Sequence, residues 1–152
     1  MAAGSGYLLD TCVLLWWLSG DPRLSREWEE RLRGARCLVS AASIWEVAIK
    51  HQLGKLPVSP QSLITAARQA GFEFLAISPD HAAATALLPP HHRDPFDRLL
   101  VAQARSEGVL LLSDDRALKD YRPGVQLLQQ PQPLTSARSR CNPARHRPGR
   151  RR

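Results

Sequence analysis

Apolar residues along the chain form short continuous runs that alternate with stretches of helical periodicity. The runs Tyr7 to Leu9, Cys37 to Val39 and Val109 to Leu112 are typical of buried strands in a parallel sheet. Residues 72–77 and 125–128 are two further strand candidates. The segments between them begin with Ser or Asp and end near Gly, as helices do. This alternation predicts an α/β fold, with a short parallel sheet of about four to five strands wrapped by helices in a single domain.

The clearest predicted helix covers residues 95–107 and begins with two carboxylates. Asp94 followed by Pro95 predicts an N-cap with proline at the first helical position. Asp97 then lies in the first turn, where unpaired backbone N–H groups and the helix dipole favour an anion. Such a carboxylate can help to hold a metal ion if other carboxylates reach the same point. Otherwise Asp94 and Asp97 only cap the helix.

Four acidic residues are predicted to meet at one edge of the sheet. Asp10 follows the first strand, Asp115 follows the strand that ends at Leu112, and Glu46 and Asp97 lie near helix starts. The carboxyl ends of parallel strands line the crevice where such folds bind ligands. Clustered carboxylates repel one another unless cations neutralise them, and oxygen ligands favour Mg²⁺ or Mn²⁺. Magnesium in an open carboxylate site usually handles phosphates. The alternative is that the four are unrelated caps and surface acids.

The net charge of +7 is confined to the C-terminal end of the chain. Seven of the 21 basic side chains are arginines beyond residue 136, so residues 1–136 carry 14 basic and 14 acidic groups. We predict a neutral domain over residues 1–130 and a disordered Arg/Pro-rich basic tail over residues 131–152, because the tail lacks the large apolar residues of a core. The tail is either a phosphate-attracting segment or an incidental extension.

Cysteines and apolar runs bear on the location of the protein. Three cysteines, an odd number without metal-ligand spacing, favour a reducing, cytoplasmic environment. We expect no membrane contact and no secretory leader, because the longest apolar run is too short and is interrupted by Asp10. Glycine-rich phosphate loops are absent from the sequence, which disfavours enzymes with nucleotide cofactors.

Four sequence blocks, taken together, resemble those of the PIN-domain ribonucleases, and specifically the VapC toxins of bacterial toxin–antitoxin pairs. They lie within residues 7–128 and read LLDTCVLLWWL, SIWEVAIKHQLGKL, HRDPFDRLLVAQA and LLLSDDRALKDY. The resemblance implies a PIN-like fold and an acidic quartet that binds Mg²⁺ and is catalytic, namely Asp10, Glu46, Asp97 and Asp115. It implies that Asp115 rather than Asp114 occupies the family's acidic position, with Ser113 as its hydroxyl residue and Asp94 as a cap and supporting group. Cys12 stands where relatives often have His, and the tail lies outside the family pattern.

The resemblance implies a magnesium-dependent endoribonuclease that is the toxin of a type II toxin–antitoxin system. It further implies water attack on an RNA phosphodiester with 5′-phosphate and 3′-hydroxyl products, a homodimer, and a small VapB-like antitoxin as partner. Because an acidic edge repels RNA, Arg98 and Arg116 are candidates for substrate binding, or else they pair with the neighbouring acids. Lys50 is expected to pair with Glu46, four residues earlier on the same helix.

Two other functions are alternatives to this one. A catalytically silent RNA- or protein-binding PIN module would share the fold, although intact acids at all four positions argue against loss of activity. A haloacid-dehalogenase-like phosphatase also has Asp after its first strand, but that class needs a second Asp two residues later, where this chain has Cys12. Trp16 and Trp17 are predicted to lie in the core or on a dimer surface rather than to stack on bases.

Overall fold

The computed structural model describes residues 6–91 and 93–128, which form a five-stranded sheet flanked by helices. The strands are β1 (Gly6–Leu9), β2 (Arg36–Ser40), β3 (Glu73–Leu75), β4 (Leu110–Ser113) and β5 (Val125–Leu127). The α-helices are α1 (Thr11–Ser19), α2 (Arg26–Arg33), α3 (Ala41–Gln52), α4 (Pro60–Gln69), α5 (Pro79–Ala84) and α6 (Pro95–Glu107). Two 3₁₀ helices cover Thr85–Leu87 and Arg116–Tyr121.

All strand pairs are parallel, and the strand order across the sheet is β3-β2-β1-β4-β5. The central strand β1 places Leu8 opposite Leu38 of β2 on one side and opposite Leu111 of β4 on the other. The residues that follow β1, β2 and β4 therefore leave the sheet at the same edge. This arrangement confirms the predicted α/β fold, the parallel sheet and the single domain.

The helix that carries Asp97 begins as its sequence predicts. Asp94 is the N-cap of α6, and its Oδ1 accepts hydrogen bonds from the backbone N–H of Phe96 at 2.9 Å and of Asp97 at 3.3 Å. Pro95 occupies the first helical position, where no N–H is needed. Gly108 ends the helix in the left-handed conformation, at φ 66°. These caps fix Asp97 in the first turn of α6.

Two of the differences between the predicted and the observed elements have a clear physical reason. β3 covers three residues instead of the predicted 72–77 because it is an edge strand that pairs only with β2, and Phe74 within it is 40% exposed. α3 begins at Ala41 because Ser40 is its N-cap, accepting a hydrogen bond from Ala42 N at 3.0 Å. Glu46 therefore lies in the second turn of α3 rather than near its start.

Alternate residues of the strands fill two apolar layers, one on each face of the sheet. Leu9, Val39 and Leu112 pack on one face with residues of α1, α2 and α4, and Trp16 belongs to this layer at 3% exposure, which confirms its predicted core position. The opposite face holds Leu8, Leu38 and Leu111 together with the buried side of α6. The site-bearing edge is thus held between two packed layers.

None of the helices in the described ranges is long and apolar enough to cross a membrane. The predicted domain boundary at residue 130 and the predicted basic tail over residues 131–152 lie outside the described residues.

Candidate active site

Asp10 lies at the carboxyl end of the central strand and is 6% exposed. Its backbone N–H donates to the Leu112 carbonyl at 3.1 Å, which continues the pairing of β1 with β4. Its Oδ1 accepts a hydrogen bond from Val13 N at 2.8 Å and so caps α1. Its Oδ2 accepts a hydrogen bond from the Ser113 hydroxyl at the end of β4. The Asp10 carboxylate is therefore fixed on both oxygens by neighbouring elements.

The surroundings of Asp10 favour its protonated form. Burial raises the pKa of Asp10 to about 7, and the negative charges of Glu46 and Asp114 act in the same direction. The hydrogen bonds from Ser113 and from Val13 oppose this rise, because they stabilise the ionised carboxylate. The direction of the shift shows that a carboxylate here is under electrostatic strain that a cation would relieve.

Asp97 shows the same behaviour and links the predicted acids to one another. Burial raises the pKa of Asp97 to about 8, and four neighbouring acids contribute to the rise, in the order Asp94, Asp10, Asp115 and Glu46. The other three members of the quartet thus lie within electrostatic range of Asp97. The structure brings the four predicted acids together from four separate segments of the chain.

Glu46 enters this cluster from α3 with both carboxylate oxygens bound. The Thr11 hydroxyl donates to Oε1 at 2.7 Å, and Lys50 Nζ donates to Oε2 at 2.7 Å. The side chains of Glu46 and Lys50 are each 15% exposed, so this ion pair is partly shielded from water. The predicted pairing of Lys50 with Glu46 is confirmed. Thr11 was not predicted to touch an acid, although it directly follows Asp10.

Asp115 and Asp114 extend the cluster from the end of β4. Asp115 caps the following 3₁₀ helix by accepting from Ala117 N at 3.0 Å, while its own N–H donates to the Ser113 hydroxyl at 3.0 Å. Asp114, which the family pattern sets aside, is close enough to Asp10 to raise the pKa of that residue. Burial also raises the pKa of Asp114, against the opposing charge of Arg116. Asp114 is therefore a further acid of the cluster, beside the quartet and Asp94, and the Asp-Asp pair in the sequence was the signal for it.

The two predicted substrate-binding arginines lie in different surroundings. The Arg98 guanidinium donates to the backbone carbonyls of Thr85 at 2.8 Å and Pro89 at 3.0 Å and to the Tyr121 hydroxyl at 3.2 Å. These contacts hold the loop that leads into α6, and the predicted role of Arg98 in substrate binding or in pairing with the acids stays a prediction. Arg116 is exposed, and its positive charge lowers the pKa of Asp114. This effect agrees with the predicted pairing to a neighbouring acid.

A buried glutamine joins the two helices that carry Glu46 and Asp97. Gln103 of α6 is fully buried and accepts a hydrogen bond from the Ser40 hydroxyl at 2.5 Å. Its Nε2 donates to the Ala76 carbonyl and to His81 Nδ1, both at 3.3 Å. Sequence reasoning missed this residue because one glutamine in an apolar helix carries no periodic signal. Through Ser40, Gln103 fixes the start of α3 relative to α6.

The donor set suits a hard divalent cation. The clustered side chains offer carboxylate and hydroxyl oxygens, which Mg²⁺ and Mn²⁺ prefer, and burial raises the pKa of both Asp10 and Asp97. Within residues 6–91 and 93–128, no three acidic, His or Cys side chains converge closely enough to ligate one ion in this conformation. The chemistry of the residues therefore fits such a cation, while Glu46 is turned toward Lys50 in this conformation.

Fold and site together define a parallel α/β domain with an acidic crevice at the carboxyl edge of its sheet. Residues 7–122 match the PIN domain family. Ribonuclease VapC22 of Mycobacterium tuberculosis is 31% identical over 136 residues, which cover 84% of this chain and 95% of that protein. The chain therefore belongs to the PIN-domain family, on the branch of the VapC ribonucleases.

Solved structures of VapBC complexes have the same fold. VapBC2 from Rickettsia felis, bound to a DNA fragment from its promoter, superposes with a TM-score of 0.62 at 17% identity, covering 81% of this chain and 97% of that chain. DNA-bound VapBC from Salmonella typhimurium superposes with a TM-score of 0.60 at 16% identity, covering 82% and 97% of the two chains. A toxin–antitoxin complex from Klebsiella pneumoniae reaches a TM-score of 0.54 at 22% identity, covering 79% and 95%. At these identities the likeness supports the fold.

Proposed function

We propose that this protein is a magnesium-dependent endoribonuclease and the toxin of a type II toxin–antitoxin pair. The observation that carries the proposal is that Asp10, Glu46 and Asp115 lie within electrostatic range of the half-buried Asp97, and that burial together with neighbouring acids raises the pKa of both Asp10 and Asp97. Carboxylates with pKa values raised in this way cluster at functional sites, where a cation would relieve their repulsion. The relation to Ribonuclease VapC22 supports RNA as the substrate class.

In this proposal Asp10 and Asp97 hold Mg²⁺, or Mn²⁺, with Asp115 and Glu46 completing the quartet. The bound cation supplies a nucleophilic water at neutral pH and neutralises charge on the phosphate. Ser113 keeps one oxygen of Asp10 in place through its hydroxyl hydrogen bond. Asp94 positions Asp97 by capping α6. Glu46 would complete the donor set for a cation if its ion pair with Lys50 opened, and that opening carries a cost because both side chains are only 15% exposed.

The partners follow from the same relatives. The structural neighbours include complexes of VapC-type chains with their antitoxins, which supports a small VapB-like antitoxin as the partner of this chain. A homodimer and a cytoplasmic bacterial location belong to the same proposal. The acidic crevice is a suitable target for a basic side chain of an inhibitor, since such a side chain would relieve the same repulsion as a cation.

The test is cleavage of RNA by the full chain with Mg²⁺ and with EDTA, compared among four proteins. Asp10→Asn and Asp97→Asn each remove a charge without a change of shape, and Asp120→Asn makes the same change at an exposed acid outside the cluster. We expect the two cluster variants to lose on the order of 100-fold or more in kcat and the exposed variant to keep wild-type activity. Full activity of Asp97→Asn, or cleavage by the wild type that persists in EDTA, would contradict the proposal.

A further inference from the structure

Trp45 is a large aromatic side chain that the core does not use. Its side chain is 59% exposed, whereas Trp16 and Trp28 are 3% and 7% exposed. The exposed ring is nevertheless held in place, because it makes an edge contact with the Phe96 ring at a centroid distance of 5.2 Å and an interplanar angle of 65°. An ordered and exposed tryptophan offers a flat apolar surface to a ligand.

The Trp45–Phe96 pair lies beside the acidic cluster. Trp45 directly precedes Glu46 on α3, and Phe96 directly precedes Asp97 on α6. Glu46 and Asp97 are close enough that the charge of one raises the pKa of the other. The two helices therefore meet through this aromatic contact, one residue before the two acids on each helix. The exposed Trp45 ring thus lies near the acids of both helices.

We propose that Trp45, supported by Phe96, stacks on a base of single-stranded RNA next to the phosphate at the acidic cluster. The inference rests on the proposed ribonuclease function and adds how that substrate is held. The acids clustered at this edge repel phosphates, so an uncharged stacking contact is a suitable way to bind RNA beside them. Stacking of a base on an aromatic side chain is sequence-tolerant and contributes about 1–3 kcal/mol per base.

The same helix also carries a partly apolar stripe. This stripe makes it possible to distinguish RNA from a protein as the ligand of Trp45. Trp45, Ile49 and Leu53 follow one another at spacings of four residues, and Leu53 is 62% exposed. A protein docked on α3 would use Leu53 as well as Trp45. A single base beside the acids would use only Trp45, since Leu53 lies about 12 Å further along the helix axis. Leu53→Ala is therefore the matched control for Trp45→Ala.

Binding is measured with the full chain carrying Asp97→Asn, so that RNA is not consumed. The probes are labelled oligouridylate and oligoadenylate of about 10 nucleotides, and a phosphate chain of the same length made of abasic units. We expect Trp45→Ala to weaken binding of both oligonucleotides by roughly 5- to 100-fold and to leave the abasic chain unaffected. Trp45→Phe should keep binding within about threefold, because a smaller ring still stacks. Leu53→Ala should bind as the parent does.

Two further readouts report on the stacking itself. RNA should quench the tryptophan emission of the parent, and Trp45→Phe should abolish most of that quenching while RNA still binds. In the cleavage-competent chain, Trp45→Ala should raise KM more than it lowers kcat. A chain that does not cleave RNA would contradict the ribonuclease function, whereas a cleaving chain in which Trp45→Ala binds both oligonucleotides normally would overturn only the stacking role. Equal losses in Trp45→Ala and Leu53→Ala, with a lower oligomer mass in sedimentation, would assign Trp45 to a protein contact instead.

Discussion

Neutralising Asp97 should make the metal-free protein more stable at neutral and higher pH, although it removes a proposed ligand. The folded state raises the pKa of Asp97 from 3.8 to about 8, so the folded chain keeps a proton that the unfolded chain has lost throughout this pH window. The protein therefore loses stability as the pH rises from about 4 to about 8. Asp97→Asn mimics the protonated side chain at every pH and removes this loss.

The size of the effect follows from the shift. Each pKa unit corresponds to about 1.4 kcal/mol, so the rise of the Asp97 pKa from 3.8 to about 8 sets an upper limit on the order of 6 kcal/mol. Asp97 keeps partial contact with water, which screens its interactions with the other acids. We therefore expect Asp97→Asn to be more stable than the wild type by roughly 2 kcal/mol at pH 8, and by almost nothing near pH 4. In a chain of this size that corresponds to a rise of roughly 4–8 °C in melting temperature.

The assay is urea unfolding in EDTA near pH 5 and pH 8, with the wild type, Asp97→Asn and the exposed control Asp120→Asn. The gain in stability of Asp97→Asn should grow with pH, and Asp120→Asn should show no such growth. Addition of Mg²⁺ at pH 8 should reduce or reverse the difference, since only the wild type binds the cation with full charge. A variant that is less stable than the wild type at both pH values would refute the reasoning, because it would mean that the Asp97 carboxylate is stabilised rather than repelled in the folded state.

Three further predictions concern the cation, the core and the tail. Millimolar Mg²⁺ or Mn²⁺ should raise the melting temperature of the wild type, and the double variant Asp10→Asn with Asp115→Asn should reduce that increment; an undiminished increment would locate the cation elsewhere. Gln103→Leu should cost roughly 2–4 kcal/mol in urea unfolding because buried partners lose hydrogen bonds, while Gln52→Leu at an exposed position should be near neutral. Truncation after Gln130 should leave the fold intact and flatten the salt dependence of RNA binding. Identical salt slopes for the full and truncated chains would show that the tail does not bind RNA, and an unfolded product would show that the domain extends beyond residue 130.

Local sequence signals predicted the elements of this fold because each was strong and short-ranged. The Asp94-Pro95 start of α6, the apolar run of β4 and the glycine ends of helices depend on neighbours within a few residues. β3 was predicted too long because the extent of an edge strand is determined by its pairing partner, β2, rather than by its own apolar pattern. Glu46 was predicted near a helix start, but the N-cap of α3 is Ser40, which lies six residues before it.

The acids of the candidate site could be predicted from the sequence, but the contacts of the residues around them could not. Carboxylates that follow parallel strands meet by topology alone, so the strand pattern was enough to place Asp10 and Asp115 at one edge. The contacts of Arg98 could not be predicted, because they involve carbonyls of a loop whose path depends on the packing of α6. Gln103 and Trp45 were missed for the same reason, because the residues that they contact, Ser40 and Phe96, are far from them in the sequence.

The pairing of β1 with β4 determines when during synthesis a working crevice can first exist. Asp10 is made well before the residue whose hydroxyl holds it, because Ser113 lies 103 positions later in the chain. Until β4 has been made, β1 lacks one of its two neighbours and Asp10 lacks both that hydroxyl and the backbone carbonyl of Leu112. A partly synthesised chain thus contains Asp10 without the residues of β4 that orient its carboxylate. Any activity that depends on an oriented Asp10 can therefore begin only after β4 has been synthesised.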